Sequence, residues 1–153
     1  MWFSQYIYPK IVNKFQDIIW HIVGSNMPDD IIKLESKNIK IEGLLSDEDL
    51  YSLYQKCRIA VIPLRFGAGV KGKIVEAAYN QIPIVTTSIG GEGLDNSFGA
   101  FIIEDDAEKM SEIIIKLYED YSKLRQMSDS GKKFIETYFS IDRAKEVIMK
   151  DIN

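Results

Sequence analysis

Five short apolar runs limit what this chain can build. "DIIWHIVGS", "NIKIEG", "RIAVIPL", "IPIVTT" and "AFIIE" are each closed or entered by glycine, serine or proline. Most are rich in β-branched residues and lack strict alternation, which marks strands buried on both faces. Amphipathic stretches separate them. Phe3, Ile7, Ile11 and Phe15 recur every four residues, with Pro9 at a helix start or a kink. Ser46 can cap a helix whose first turn holds Asp47, Glu48 and Asp49 and whose stripe is Leu50, Leu53, Tyr54 and Cys57. Val70, Ile74, Ala77 and Ala78 stripe another. A capping box from Asp105 to Glu108 opens a helix that buries Met110, Ile113, Ile114, Leu117 and Tyr118. Two more helical stretches run from Leu124 to Tyr138 and from Ile141 onward, the second capped by Ser140. Apolar strands alternating with such helices predict an α/β fold: a doubly wound, Rossmann-like parallel sheet of about five strands with helices on both faces.

The length of 153 residues suits one domain, and 27% charged residues is ordinary for a soluble globular chain. A net charge of -4 argues against nucleic acid as the main partner, because phosphate backbones call for a basic face. Cys57 is the single cysteine, so no internal disulfide forms and a reducing compartment fits; its place in a helical stripe makes it a small buried hydrophobe. No apolar run is long enough to span a bilayer, and no basic segment precedes an apolar core at the N-terminus. A cytoplasmic protein is expected, peripheral to a membrane only as part of a larger enzyme.

The chemistry concentrates after the third run, in "PLRFGAGVKGKIVEAAYNQIPIVTT". Gly67, Gly69 and Gly72 precede and open a helix, although glycine costs roughly 1 kcal/mol there relative to alanine. Glycine at a helix N-terminus lets backbone N–H groups approach an anion closely, and the helix dipole favours its charge. "GAGVKG" satisfies G-x-G-x-x-G, but the next strand ends in Thr86, Thr87 and Ser88 where a dinucleotide site wants an acidic residue. "GAGVKGKI" satisfies G-x-x-x-x-G-K but puts Ile74 where a P-loop needs Ser or Thr for magnesium.

A longer match is "PLRFGAGVKGKIVEAAYNQIPIVTTSIGGEGL", with "WHIVGS", "IKIEGLLSDEDLYSLYQKCRIAVIP" and "DDAEKMSEIIIKLYED…FIETYFS" in order around it. Together these resemble the nucleotide-sugar-binding, C-terminal half of GT-B glycosyltransferases, in particular the family-4 (group 1) retaining enzymes. The resemblance implies that the loop of Gly67, Ala68, Gly69 and Val70 offers N–H groups to the donor diphosphate. It puts Lys71 close by as a stabiliser of the departing nucleoside diphosphate, and Glu76 on the ribose hydroxyls. Gly90, Gly91 and Glu92 would approach the sugar or its phosphates, and the loop with Gly43, Leu44 and Leu45 would border the base. It implies electrostatic catalysis by pre-aimed donors, with a nucleoside diphosphate sugar as donor and no metal or other cofactor required. The acceptor, a glycan or lipid-linked glycan, would be held by an N-terminal domain that has no counterpart in residues 1–153.

The sequence also departs from that family. Ala68 stands where many members carry the first of two glutamates eight positions apart. Gln81 replaces the usual glycine before "IPIV", which leaves Asn80 as the left-handed cap. The family's first strand, with the Arg and Lys on the loop after it, is missing. Other polar residues have plainer readings. Lys73 is a solvated lysine or helix-packing stem, and Glu76 could simply pair with it at i,i+3. Arg65 is a surface arginine, His21 a satisfied core histidine, and Trp2 and Trp20 packing residues.

Three functions fit these residues: the donor-binding half of a glycosyltransferase, a non-catalytic nucleotide or nucleotide-sugar binding module, and a scaffold that acts through its surface. The missing strand carries a structural expectation of its own. Ile18–Val23 and Ile59–Ile62 should flank a vacant place. Either they close up and pair, or a second chain, as in a homodimer, fills or covers the edge.

Overall fold

The computed structural model of the chain describes residues 1–143, 145 and 149. Its strands are β1 (Trp20–Val23), β2 (Ile39–Gly43), β3 (Ala60–Ile62), β4 (Ile84–Thr86) and β5 (Phe101–Ile103). Its helices are α1 (Trp2–Tyr6), α2 (Tyr8–Lys14), α3 (Asp29–Ile32), α4 (Asp47–Tyr54), α5 (Gly72–Tyr79), α6 (Ala107–Glu119) and α7 (Tyr121–Tyr138). The five apolar runs thus supply the five strands, and every strand pairing is parallel.

The first amphipathic stretch breaks at Ile7, and Pro9 sits in the first turn of α2, where its missing N–H costs no helical bond. The short α3 buries nothing and carries no periodic signal in the sequence. Of the stretch after Ser140, the serine hydroxyl accepts from Arg143 N–H at 3.2 Å, and most of the expected helix lies outside the described residues.

Two apolar layers cover the strands. Alternate residues of a strand point to opposite faces. Val85 therefore packs with Phe3, Ile11, Met110 and Ile114 of α1, α2 and α6 and with Ile7 at the α1–α2 junction. Its neighbour Ile84 packs with Ile74, Ala77, Ala78 and Phe134 of α5 and α7. Gly131 is buried where α7 packs on α5, and a Cβ there would stand 3.4 Å from Ala78 O.

Two expected caps are moved by one residue. Asp106, not Asp105, caps α6 by accepting from Lys109 N–H at 2.9 Å. Asp105 instead accepts Ser88 N–H at 2.9 Å from the loop after β4, which holds its carboxyl below the usual carboxylate range. Gln81, not Asn80, takes the left-handed conformation, with φ 57°. Asn80 stays near helical geometry because its side-chain amide donates to Glu76 O at 2.9 Å, one turn back.

The sheet is split. β1 and β2 form one parallel pair, and β3, β4 and β5 form a second sheet in that order. A cavity of about 840 Å³ runs between them, bordered by Trp20, His21 and Val23 on one side and Ile59, Ala60 and Val61 on the other. β4, with a strand on each side, is buried at all three positions, whereas all four residues of β1 are only half-buried. The vacant place therefore persists within the chain, and the two strands have not closed up to pair. Residues 2–6 form a helix and do not supply the strand.

Candidate functional site

The four longest helices among the described residues are α4, α5, α6 and α7, and three of them carry side-chain caps. Ser46 accepts from Asp49 N–H in α4, Asp106 from Lys109 N–H in α6 and Asp120 from Lys123 N–H in α7. The fourth, α5, has Lys71 at its N-cap and no side-chain cap. A lysine side chain cannot accept a hydrogen bond, and Ile74 N–H turns back to Lys71 O at 2.9 Å, so the amides of Gly72 and Lys73 are left for another acceptor.

The loop leading into α5 turns through two glycines with positive φ, 124° at Gly67 and 75° at Gly69. Both conformations are strained for an L side chain, which accounts for glycine at these positions. The loop closes on Glu92. Gly69 N–H donates to Glu92 Oε2 at 3.1 Å, and Lys71 Nζ lies 3.5 Å from the same oxygen while also donating to Gly69 O. Lys71 is the more buried partner of this pair, its side chain 12% exposed against 50% for Glu92.

A second group of residues meets at the carboxyl ends of β1 and β2. Gly24 N–H donates to Gly43 O at 2.9 Å, and Gly43 turns there with φ 68°. Leu44 is largely exposed beyond this turn, and Leu45 is half-buried. Gly24, Ser25, Leu44 and Leu45 line the mouth of the central cavity together with Lys73 and Glu76 of α5. A Cβ on Gly24 would stand 3.8 Å from Lys73 Nζ, so the ammonium lies over the end of β1. Lys73 and Glu76 share this mouth without an ion pair between them among the described residues. Tyr54 lines the same cavity. Burial, then the Glu76 carboxylate and then Cys57, pushes its phenol up to about 12.

Of the residues singled out from the sequence, the structure gathers Glu76, Leu44, Leu45 and the Gly43 turn at one mouth. It gathers Gly67, Gly69, Lys71 and Glu92 in the adjoining loop. Val70 faces the outer side of α5, where it lines a shallower pocket with Glu76 and Tyr79. Ala68 is exposed at the loop tip. Gly90 and Gly91 are buried beneath the loop. A Cβ on Gly90 would overlap Thr86 Oγ1 and stand 3.2 Å from Ile62 O, and one on Gly91 would stand 3.2 Å from the Phe101 ring. In this structure their role is close packing.

Sequence reasoning missed the position of Lys73, although its i,i+3 spacing from Glu76 places both on one face of α5. It also gave no site role to Ser25, or to Tyr54, which it read only as part of the apolar stripe of α4. His21 pairs with Glu42, Nδ1 to Oε1 at 2.7 Å, across the β1–β2 pair. Arg65 turns away from the loop. Its guanidinium donates to Asp105 O at 3.3 Å and stacks 4.6 Å from the centre of the Trp2 ring. Among the described residues, no group of three or more His, Cys, Asp or Glu side chains is arranged to hold a metal ion.

The family described as "Glycosyl transferases group 1" matches residues 1–120 of the chain. An uncharacterized 44.6 kDa protein in the cps region of Klebsiella pneumoniae is 25% identical over 159 residues, covering 99% of this chain and 41% of its own length. A GDP-mannose-dependent monoacylated alpha-(1-6)-phosphatidylinositol monomannoside mannosyltransferase of Corynebacterium glutamicum is 25% identical over 144 residues, covering 86% of this chain and 38% of its own length. Among solved structures, Anabaena Alr3699/HepE in complex with UDP and glucose superposes with a TM-score of 0.78 at 16% identity. The match covers 97% of this chain and 44% of that one. The chain thus spans about two fifths of the length of the curated relatives that it matches.

Proposed function

Because this chain belongs to the group 1 glycosyl transferases, we propose that it is the donor-binding half of such an enzyme and holds a nucleoside diphosphate sugar. The observation that carries the proposal is the uncapped N-terminus of α5. It stands between a glycine loop and a mouth lined by Glu76 and the loop after β2. In this reading the diphosphate lies on the amides of Gly67 to Lys71 and the first turn of α5. The helix dipole and Lys71 meet its charge there, with Lys73 near its other side. Those groups stabilise the leaving diphosphate as the glycosidic bond to phosphate breaks. Glu76 accepts from the ribose hydroxyls, and Leu44 and Leu45 give the base an apolar border.

Nucleotide-sugar binding also fits the relatives: one is named for its use of GDP-mannose and one superposing structure holds UDP and glucose. The sugar moved is proposed to be a hexose. The acceptor, a glycan or lipid-linked glycan, is expected on a part of the enzyme outside these 153 residues. Proximity and orientation of two substrates supply much of such a rate enhancement, so the chain by itself is expected to bind donor without efficient transfer.

Titration calorimetry with UDP, GDP and ADP, free and sugar-linked, tests the reading. One base class should bind, and more weakly once Glu76 is changed to alanine. Absence of binding by all three classes would overturn it.

A further inference from the structure

The turn that carries Glu92 is fixed on both sides of it. Gly90 N–H donates to Thr87 Oγ1 at 3.2 Å and Gly91 N–H to Thr87 O at 3.0 Å. Leu94 N–H donates back to Gly91 O at 3.1 Å, and Leu94 packs against the layer that holds Ile74 and Phe101. Gly93, with φ 74°, brings the turn against the glycine loop, where a Cβ on it would stand 3.3 Å from Val70 Cγ2. The Glu92 backbone therefore has little room to retreat, and its carboxylate moves only by side-chain rotation. Two groups hold that carboxylate in this structure, Gly69 N–H and the Lys71 ammonium. Both belong to the surface on which the diphosphate is proposed to lie. A bound diphosphate takes both of them, and leaves the carboxylate beside it within one side-chain length.

Resting on the donor-site reading above, we propose that Glu92 selects the nucleoside diphosphates of uncharged sugars and disfavours those of sugar acids. The glycine loop and the mouth beside it carry two ammonium groups, Lys71 and Lys73, and two carboxylates, Glu76 and Glu92. Arg65, the cation just before the loop, is turned toward Asp105 O and the Trp2 ring. The charge on each phosphate of a donor engages the lysines and the positive end of α5. With the base at Leu44 and Leu45 and the ribose at Glu76, the sugar follows the diphosphate on the side of the loop and Glu92. A carboxylate only accepts hydrogen bonds, and the hydroxyls of a neutral sugar donate them, so they replace Gly69 N–H and Lys71 as partners of Glu92. A carboxylate on the sugar would find Glu92 there in place of a cation. At a separation of about 6 Å the repulsion is worth about threefold in affinity in water and far more at a lower dielectric. Glu92 is 50% exposed, which keeps the effect toward the lower end.

Titration calorimetry with donor pairs that differ only at C6 of the sugar tests this: UDP-glucose against UDP-glucuronate, and GDP-mannose against GDP-mannuronate. In the pair that carries the accepted base, the acid should bind about three- to tenfold more weakly. Raising the salt concentration should shrink that ratio in the unaltered chain. Glu92→Gln keeps the shape of the side chain and removes its charge, so the ratio should fall close to one. Equal affinities within the pair overturn the proposal. A preference that survives Glu92→Gln overturns it too, and assigns the discrimination to shape. Free UDP and GDP, titrated into the chain and the variant, separate this selectivity from the donor site beneath it. If neither binds the unaltered chain, the donor site is overturned and its selectivity with it. If one binds and the acid is not disfavoured, only the role of Glu92 fails.

Discussion

Glu92 Oε2 accepts the backbone N–H of Gly69 at 3.1 Å and lies 3.5 Å from Lys71 Nζ. A carboxylate thus occupies the electropositive loop at which a diphosphate is proposed to bind, and the two anions compete for the same donors. Glu92→Gln should therefore raise affinity for a nucleoside diphosphate by up to about fivefold, the equivalent of an exposed ion pair. Lys71→Ala should lower it. Calorimetry with the two variants decides the matter: weaker binding by Glu92→Gln would mean that Glu92 contacts the donor directly.

Glu76 is placed to hold the ribose, and its loss should be felt by nucleosides as well as by nucleoside diphosphates. Glu76→Ala should weaken both by about 1.5–3 kcal/mol, the range for a hydrogen bond to a charged group. A loss confined to the diphosphates would move Glu76 from the ribose to the phosphate end of the site.

Tyr54 links that carboxylate to pH. Its phenol ionises near 12 in the folded chain, chiefly through burial and secondarily through Glu76, against an ordinary value of 10.0. The folded state therefore holds this proton more tightly than the unfolded state does. Its contribution to stability is complete below pH 10 and is lost as pH rises from 10 toward 12. Absorbance of the phenolate should show a late-titrating tyrosine that disappears in Tyr54→Phe. Glu76→Gln should bring that titration to lower pH without restoring the ordinary value, because burial remains.

Gly90 should matter to the fold more than to the ligand. A Cβ there would overlap the Thr86 hydroxyl that donates to Ile62 O at 2.8 Å, at the join of β3 and β4. Gly90→Ala should cost about 1–3 kcal/mol in urea unfolding, the usual range for overpacking. Nucleotide affinity of the folded fraction should stay unchanged. A stable variant with weakened binding would restore Gly90 to the donor site.

The strands were legible because buried parallel strands leave near-continuous apolar runs, and "IPIVTT" became the fully buried β4. The helix at α5 was legible from its stripe, and the loop before it from glycines that take positive φ. What the sequence concealed depends on contacts between distant segments. Asp105 lost its expected cap to Asp106 because Ser88, on another loop, claims its carboxylate. Lys73 stays exposed, as a solvated lysine should, and its nearness to Gly24 at the end of β1 is what the sequence did not show. The glycines at 90 and 91 are explained by the side chains of β4 and β5 pressing on them, and local spacing does not reveal that. The vacant place between β1 and β3 was expected from the family resemblance, whose first strand has no counterpart among residues 1–153.

The central claim is that the N-terminus of α5 and its glycine loop form the anion end of a donor site. Amide chemical shifts of the chain during titration with UDP and GDP test it most directly. The account predicts saturable changes at Gly67, Gly69 and Lys71 with one of the two, together with changes at Glu76 and Leu44. Changes confined to another face of the molecule, or none with either nucleotide, would contradict it.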